Sequence, residues 1–204
     1  MALSDFYSNL QVLVRWLHEL VGIMWIGSIY FFDFVIVPAQ RAGCDAGNGT
    51  VHSTLLRRAL WWIRWAGLAA VGFGLILLVV TYFYIPGEGF GPNKMFLDGQ
   101  VISDRAIWIF FGMTVALVMF FNIWFVMEPA QKKLLLGEAT PEDVVFLRRR
   151  SFRALRTATF FSGPMLFAML APSHYGAISL TSLVAAMAAG FLVIWCAVKI
   201  STVI

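Results

Sequence analysis

The sequence predicts an all-α, polytopic transmembrane helix bundle of about five spans, forming one integral membrane domain over residues 1–204. Composition is the first reason. Sixty per cent of the residues, 60%, are hydrophobic and 13% are charged, with a mean hydropathy of +0.81, whereas water-soluble domains carry about 25% charged residues. The second reason is clustering: the apolar residues gather into runs that match the ~20 residues a helix needs to cross the hydrocarbon core. Aromatic residues make up 16% of the chain, as suits helices anchored at lipid–water interfaces.

Four runs are long enough without qualification: about Leu10–Val37, Trp65–Tyr84, Ala106–Met127 and Leu180–Ile200. No Lys or Arg precedes the first, and its length exceeds that of a cleaved signal, so it reads as a retained helix. The remaining span, Thr157–Ala171, is short and holds Gly163-Pro164 at its middle. Proline removes a backbone donor and kinks a helix, so this span is expected to bend, or to extend back through Ser151–Arg156.

Between the third and fourth spans, Gly137 suits a helix end and Thr140-Pro141-Glu142-Asp143 a helix start. Thr140 can cap, Pro141 fits the first helical position, and the acids face the positive end of the helix dipole. An amphipathic helix over 140–156 follows, with Arg149, Arg153 and Arg156 as a basic stripe. That stripe fits an acidic partner or anionic lipid headgroups; its plainer meaning is a topology signal. Residues 84–100 read as a Gly/Pro-rich loop without a phosphate-cradle pattern. No internal repeat is evident.

The basic residues set the orientation. Arg41, Arg57, Arg58 and Arg64 follow the first span; Lys132, Lys133, Arg148, Arg149, Arg150, Arg153 and Arg156 follow the third; Lys199 ends the last. With five spans these all fall on one side, leaving Lys94, Arg105 and Arg15 toward the other. The positive-inside rule then predicts an outside N-terminus and a cytoplasmic C-terminus. The net charge of +4 therefore points to the bilayer and not to nucleic acid. Cys44 and Cys196 form no CxxC or CxxCH pattern, so neither a c-type haem attachment site nor a cysteine zinc site is present.

The first helix carries the candidate chemistry. His18, Gly22, Trp25, Ile29 and Asp33 fall near one face, with Arg15 above them. A charge at mid-bilayer costs roughly 2.5–3.5 kcal/mol, which Arg15 and Glu19 escape near the outer end, four residues apart and able to pair. Asp33 lies near the inner end. His18 is moderately deep, and an imidazole can serve as axial ligand to a b-type haem, with Gly22 and Trp25 offering a surface for a flat cofactor. His174 shares its side and is the candidate second ligand; His52 falls on the other side. Met24, Met113, Met165 and Met169 are further sulfur candidates, more often gap-fillers. The alternative is that His18 hydrogen-bonds a neighbouring helix, as expected of Asn122. Paired carboxylates deep in the spans, a Ser–His–Asp set and a metal-spaced cluster are all lacking.

RWLHELVGIMWIGSIYF in the first helix, LWWIRWAG at 60–67, NIWFVMEPAQKKLLLGEA at 122–139 and PMLFAMLAPSHY at 164–175 occur in an order that resembles the membrane domain of bacterial cytochrome c-linked urate oxidases. The resemblance implies a helical membrane domain connected with electron transfer to a cytochrome c. As aligned, histidines of the family pattern fall at Trp61, Phe110 and Thr157 and an acid at Ala66, while His18 and His174 persist. These residues hold fewer spans than the family domain and no cytochrome c portion. The expected function is thus a non-catalytic accessory subunit of a larger, electron-transferring membrane complex. The alternatives are a small b-haem electron carrier using His18, and, third, a urate-type oxidoreductase.

Overall fold

The computed structural model describes residues 3–41, 49–91, 96–97, 101–174 and 178–201. Cys44 and Lys94, and the side chains of Arg41 and His52, lie outside the described residues. Five helical stretches are long and apolar enough to cross a membrane: Asp5–Gln40, Ser53–Phe83, Asp104–Leu136, Pro141–His174 and Leu180–Ser201. Each begins earlier or ends later than hydropathy alone indicates, because polar residues continue the helical turns beyond the apolar core.

The first stretch comprises α1 (Leu3–Phe31), a π turn (Phe32–Ile36) and α2 (Val37–Arg41). The second is α3 (Gly49–Leu78), closed by a π turn at Val79–Phe83. The third runs from α4 (Asp104–Asn122) through a π turn (Ile123–Met127) into α5 (Glu128–Leu136). Then come α6 (Pro141–His174) and α7 (Leu180–Ser201). The most extensive packing is α1 on α3 and α4 on α6, with α7 laid against α6.

Local chemistry sets the ends. Gly137 takes the left-handed conformation at φ 68°, and the Glu138 N–H returns to the Lys133 carbonyl at 3.1 Å, closing α5. Thr140 Oγ1 accepts from the Asp143 N–H at 3.2 Å and donates to its carboxylate at 2.8 Å, opening α6 at Pro141. Helix α6 is continuous for 34 residues, about 50 Å at 1.5 Å per residue. The amphipathic segment and the short fourth span are therefore one helix, the extended alternative. Pro164 is buried inside it, where Gly163 and Gly190 let α6 and α7 meet backbone to backbone: a Cβ on Gly163 would lie 2.6 Å from the Gly190 carbonyl oxygen. The Gly/Pro-rich loop also departs from expectation. It forms two short hairpins, β1 (Tyr84–Ile85) with β2 (Gly89–Phe90) and β3 (Phe96–Leu97) with β4 (Val101–Ile102). Pro86-Gly87 turns the first, with Gly87 at φ 92° and the Glu88 N–H bonded to the Ile85 carbonyl, the geometry of a type II turn.

The chain does contain an internal repeat. The π turns Phe32–Ile36 and Ile123–Met127 each end two residues before a proline, Pro38 and Pro129. Proline clashes with the carbonyl four residues back. Widening the preceding turn relieves that clash, with Val37 N–H reaching the Phe32 carbonyl and Glu128 N–H the Ile123 carbonyl. The sequences around them match in register: FVIVPAQR at 34–41 with FVMEPAQK at 125–132, then Leu56-Arg57-Arg58 with Leu147-Arg148-Arg149, then Gly72 with Gly163. The bundle is thus two equivalent helical hairpins, α1–α3 and α4–α6, followed by α7. Matches this sparse escape a scan of composition and show once the two π turns fix the register.

The hairpins are tied reciprocally at the π-turn end. Arg156 of α6 pairs with Asp33 of the first hairpin at 3.1 Å, and Arg64 of α3 pairs with Glu128 of the second at 3.1 Å. Between them lies the core, with Trp25, Ile29, Phe32, Ile63, Met119, Ile123, Met127 and Leu155 buried. Tyr30 and Ser162 add a 2.7 Å hydroxyl bond between α1 and α6, and Asn122 donates to the Ala154 carbonyl at 2.5 Å, the interhelical role expected of it.

Candidate functional site

At the opposite end of the bundle the two hairpins separate. A cavity of about 680 Å³ opens there between α1, α3, α4 and α6, within the ~300–1,000 Å³ of small-molecule and cofactor pockets. Its walls are mostly apolar: Leu75, Leu78, Ile109, Leu117, Leu166 and Leu170 face it from three helices. Its polar groups are few and strongly basic in balance. His18 and Arg15 come from α1, Arg105 from the start of α4 and His174 from the end of α6, with Glu19 the one carboxylate in the lining.

The histidines share a feature that matters chemically. His18 Nδ1 lies 3.0 Å from the Ala70 carbonyl oxygen, and His174 Nδ1 lies 3.4 Å from that of Leu170. A carbonyl only accepts, so Nδ1 is the donor, and in the neutral form of either ring the lone pair stands on Nε2. This is how a ligating histidine is usually held: one nitrogen anchored to backbone, the other offered to a metal. Gly74 makes room for the His18 ring against α3, since a Cβ there would come within 3.0 Å of Cε1. Two buried polar atoms of lining residues, Trp25 Nε1 and Thr81 Oγ1, have no hydrogen-bond partner among the described residues. Such atoms are scarce in native folds and call for an explanation, of which a bound group is one.

His18, His174 and Trp25 are thus brought to one cavity. Gly22 is not: it lies outside the lining, and a Cβ there would meet nothing within 4 Å. The close approaches expected of it are made at Gly67, where a Cβ would lie 2.7 Å from Trp25 Nε1, and at Gly74. Arg15 and Glu19 both line the cavity but form no ion pair. Among the sulfur candidates, Met113 and Met169 line the cavity, Met165 is buried in the core and Met24 is exposed elsewhere. Of the basic stripe, Arg149 and Arg153 are exposed while Arg156 turns inward to Asp33. Arg105, Thr81 and Gly74 were not singled out in the sequence. Arg105 could have been, since it occupies nearly the place in α4 that Arg15 has in α1.

Among the described residues no three His, Cys, Asp or Glu side chains gather to hold a bare metal ion. No curated protein and no solved structure matches the chain. A family model described as "Urate oxidase N-terminal" matches residues 93–203, just over half of the chain. That match takes in Arg105, His174 and the helices α4 to α7, whereas His18 lies before it and stands on the geometry alone. A bundle of five membrane-length helices that carries this match belongs to the urate oxidase N-terminal family.

Proposed function

We propose that this chain is a membrane-embedded electron-transfer subunit that holds a b-type haem in the cavity between its two hairpins, with His18 as axial ligand. Of the readings open at the level of sequence, the cavity supports this one better than an accessory role without a cofactor. The single observation that carries it is the joint presence of His18 and His174 in one apolar cavity, each with Nδ1 engaged by a backbone carbonyl.

The residues present fit such a group. Two histidines are too few for a bare metal ion, but they are the number a macrocycle leaves to the protein when its own nitrogens fill the other positions. His174, or Met113 or Met169, would supply a second protein ligand from the same lining. Arg15 and Arg105 of the lining would offer cations to its carboxylates through charge-assisted hydrogen bonds. The leucine and isoleucine walls exclude water and lower the local dielectric. When bound, the haem would supply one-electron chemistry at its iron; the protein sets ligation, access and charge around it. By the positive-inside rule this cavity faces outside and the arginine-rich end the cytoplasm of a bacterial inner membrane. A site on that face suits exchange with a soluble or tethered redox partner, and so a place within a larger respiratory-type assembly.

The test is a dithionite-reduced minus oxidised absorption spectrum of the protein purified in mild detergent, with haem quantified against protein. The expected result is a b-type spectrum near one haem per chain, lost in His18→Ala while the variant still elutes as a folded species. A flat spectrum from folded protein made under ample haem supply would return His18 to a structural bond with Ala70 and leave the accessory role standing.

A further inference from the structure

A second groove, of about 390 Å³, lies at the arginine-rich end, between the π turn that closes α4 and the first half of α6. Arg149, Arg150 and Arg153 line it, with Asn122 and Thr157 at its base and Phe146 at its water-facing end. On a helix these α6 positions fall three and four apart, so the three guanidinium groups converge on one stripe. All three are exposed, no carboxylate lines the groove, and no described Asp or Glu forms an ion pair with any of them. Asp33 and Glu128 are engaged by Arg156 and Arg64 outside the groove.

The internal repeat supplies a control within the same molecule. A groove of the first hairpin, about 410 Å³ and reaching Ile23, Met24, Gly27 and Ser28 of α1 as well, overlaps the equivalent position through Phe31, Ala59 and Trp62. In the shared register these correspond to Asn122, Arg150 and Arg153. Arg57 and Arg58 have counterparts in Arg148 and Arg149, so those four serve as the topology signal common to both hairpins. Arg150 and Arg153 have no basic counterpart. They add charge at one groove only, beyond what orientation in the membrane requires.

We infer that this groove binds the phosphodiester headgroup of an anionic phospholipid. Its place along α6 favours a lipid over a soluble phosphate. The stripe ends at Thr157, where the apolar part of the helix begins, so a phosphate held by Arg149, Arg150 and Arg153 sits at headgroup level. The flank beside it, from α4 into its π turn, exposes Val118, Phe121 and Phe125, an apolar path on which acyl chains continue into the bilayer. An acidic polypeptide would gain nothing from that path. The inference is independent of the haem cavity at the other end.

The test uses the full chain in mild detergent, with native mass spectrometry reading retention of added phosphatidylglycerol against phosphatidylcholine. Wild type is expected to retain phosphatidylglycerol selectively, with inorganic phosphate unable to displace it. Arg150→Ala with Arg153→Trp puts at these two positions the residues of their counterparts Ala59 and Trp62, which helix α3 accommodates. That variant, and Arg149→Gln with it, should lose retention by about fivefold for each arginine removed. Arg57→Gln with Arg58→Gln removes two exposed charges from the same end and should leave retention unchanged. Equal loss in that control would mean diffuse attraction, displacement by phosphate would mean a soluble-anion site, and full retention after the groove is emptied would mean no site there; each overturns the assignment.

Discussion

The two reciprocal ion pairs allow a prediction in which geometry alone decides the magnitude. Asp33 is fully buried, at 0% exposure, and the Arg156 side chain is 15% exposed, whereas Arg64 and Glu128 keep 35% and 17%. Truncating one member of a buried pair leaves the other charge in a low dielectric and costs about 3–5 kcal/mol. An exposed pair is worth about 0–1 kcal/mol. Arg64 also lies 4.2 Å over the Trp124 ring, adding about 0.5–2 kcal/mol. Arg156→Ala should therefore destabilise the bundle by about 3–5 kcal/mol, and Arg64→Ala by less, about 0.5–3 kcal/mol. The double variant Asp33→Asn with Arg156→Met removes both charges and keeps the volume, so it should recover most of the loss. Reversible unfolding in mixed micelles of mild detergent and dodecyl sulfate, read by tryptophan emission, gives all four values. A double variant no more stable than Arg156→Ala, or an Arg64→Ala cost equal to that of Arg156→Ala, would refute the claim that burial at Asp33 sets the strength of the clamp.

Two further outcomes follow from glycine contacts. Gly74→Val intrudes on the His18 ring from a position where even a Cβ reaches 3.0 Å, and should lower haem content several-fold without unfolding the protein, as read by haem-to-protein ratio and thermal melting. Gly163→Ala drives a Cβ into the Gly190 carbonyl at 2.6 Å, a backbone contact that cannot rotate away; a loss of about 1–3 kcal/mol is expected, with Gly163→Ala and Gly190→Ala together costing less than their sum because one separation of α6 from α7 accommodates both clashes.

Much of the helical architecture was legible because hydropathy is a property of composition over a long window. The apolar cores of all five spans, the Gly137 stop and the Thr140-Pro141 start were read from residues whose local chemistry leaves few choices. What escaped was decided by pairs of residues distant in the chain. The continuity of α6 through Pro164 depends on Gly190, which brings α7 close enough to support that stretch. The π turns depend on prolines whose clash could have been met by a kink; widening was the solution adopted, twice and in register. Asp33 and Arg156 each looked like an end-of-helix charge until the hairpins were set side by side.

The cavity shows the same division more sharply. His18 stood out because an ionisable group on an apolar helix face is costly and therefore selective. His174 followed from which side of the membrane it would share. The rest of the lining depends on the register of α3 against α1, which no local pattern encodes: Gly74 makes room for a ring supplied by another helix, and Ala70, chemically blank in the sequence, supplies the carbonyl that fixes the proton on His18. Gly22 was singled out for the opposite reason. A missing side chain on the right face suggests a close approach, yet the approach is made where the partner helix comes near, at Gly67. The repeat itself relates Arg15 to Arg105, because they occupy nearly equivalent turns of α1 and α4. A duplicated hairpin thus accounts for the shape of the site: both halves send a basic residue to the mouth, and only the first adds the deeper imidazole.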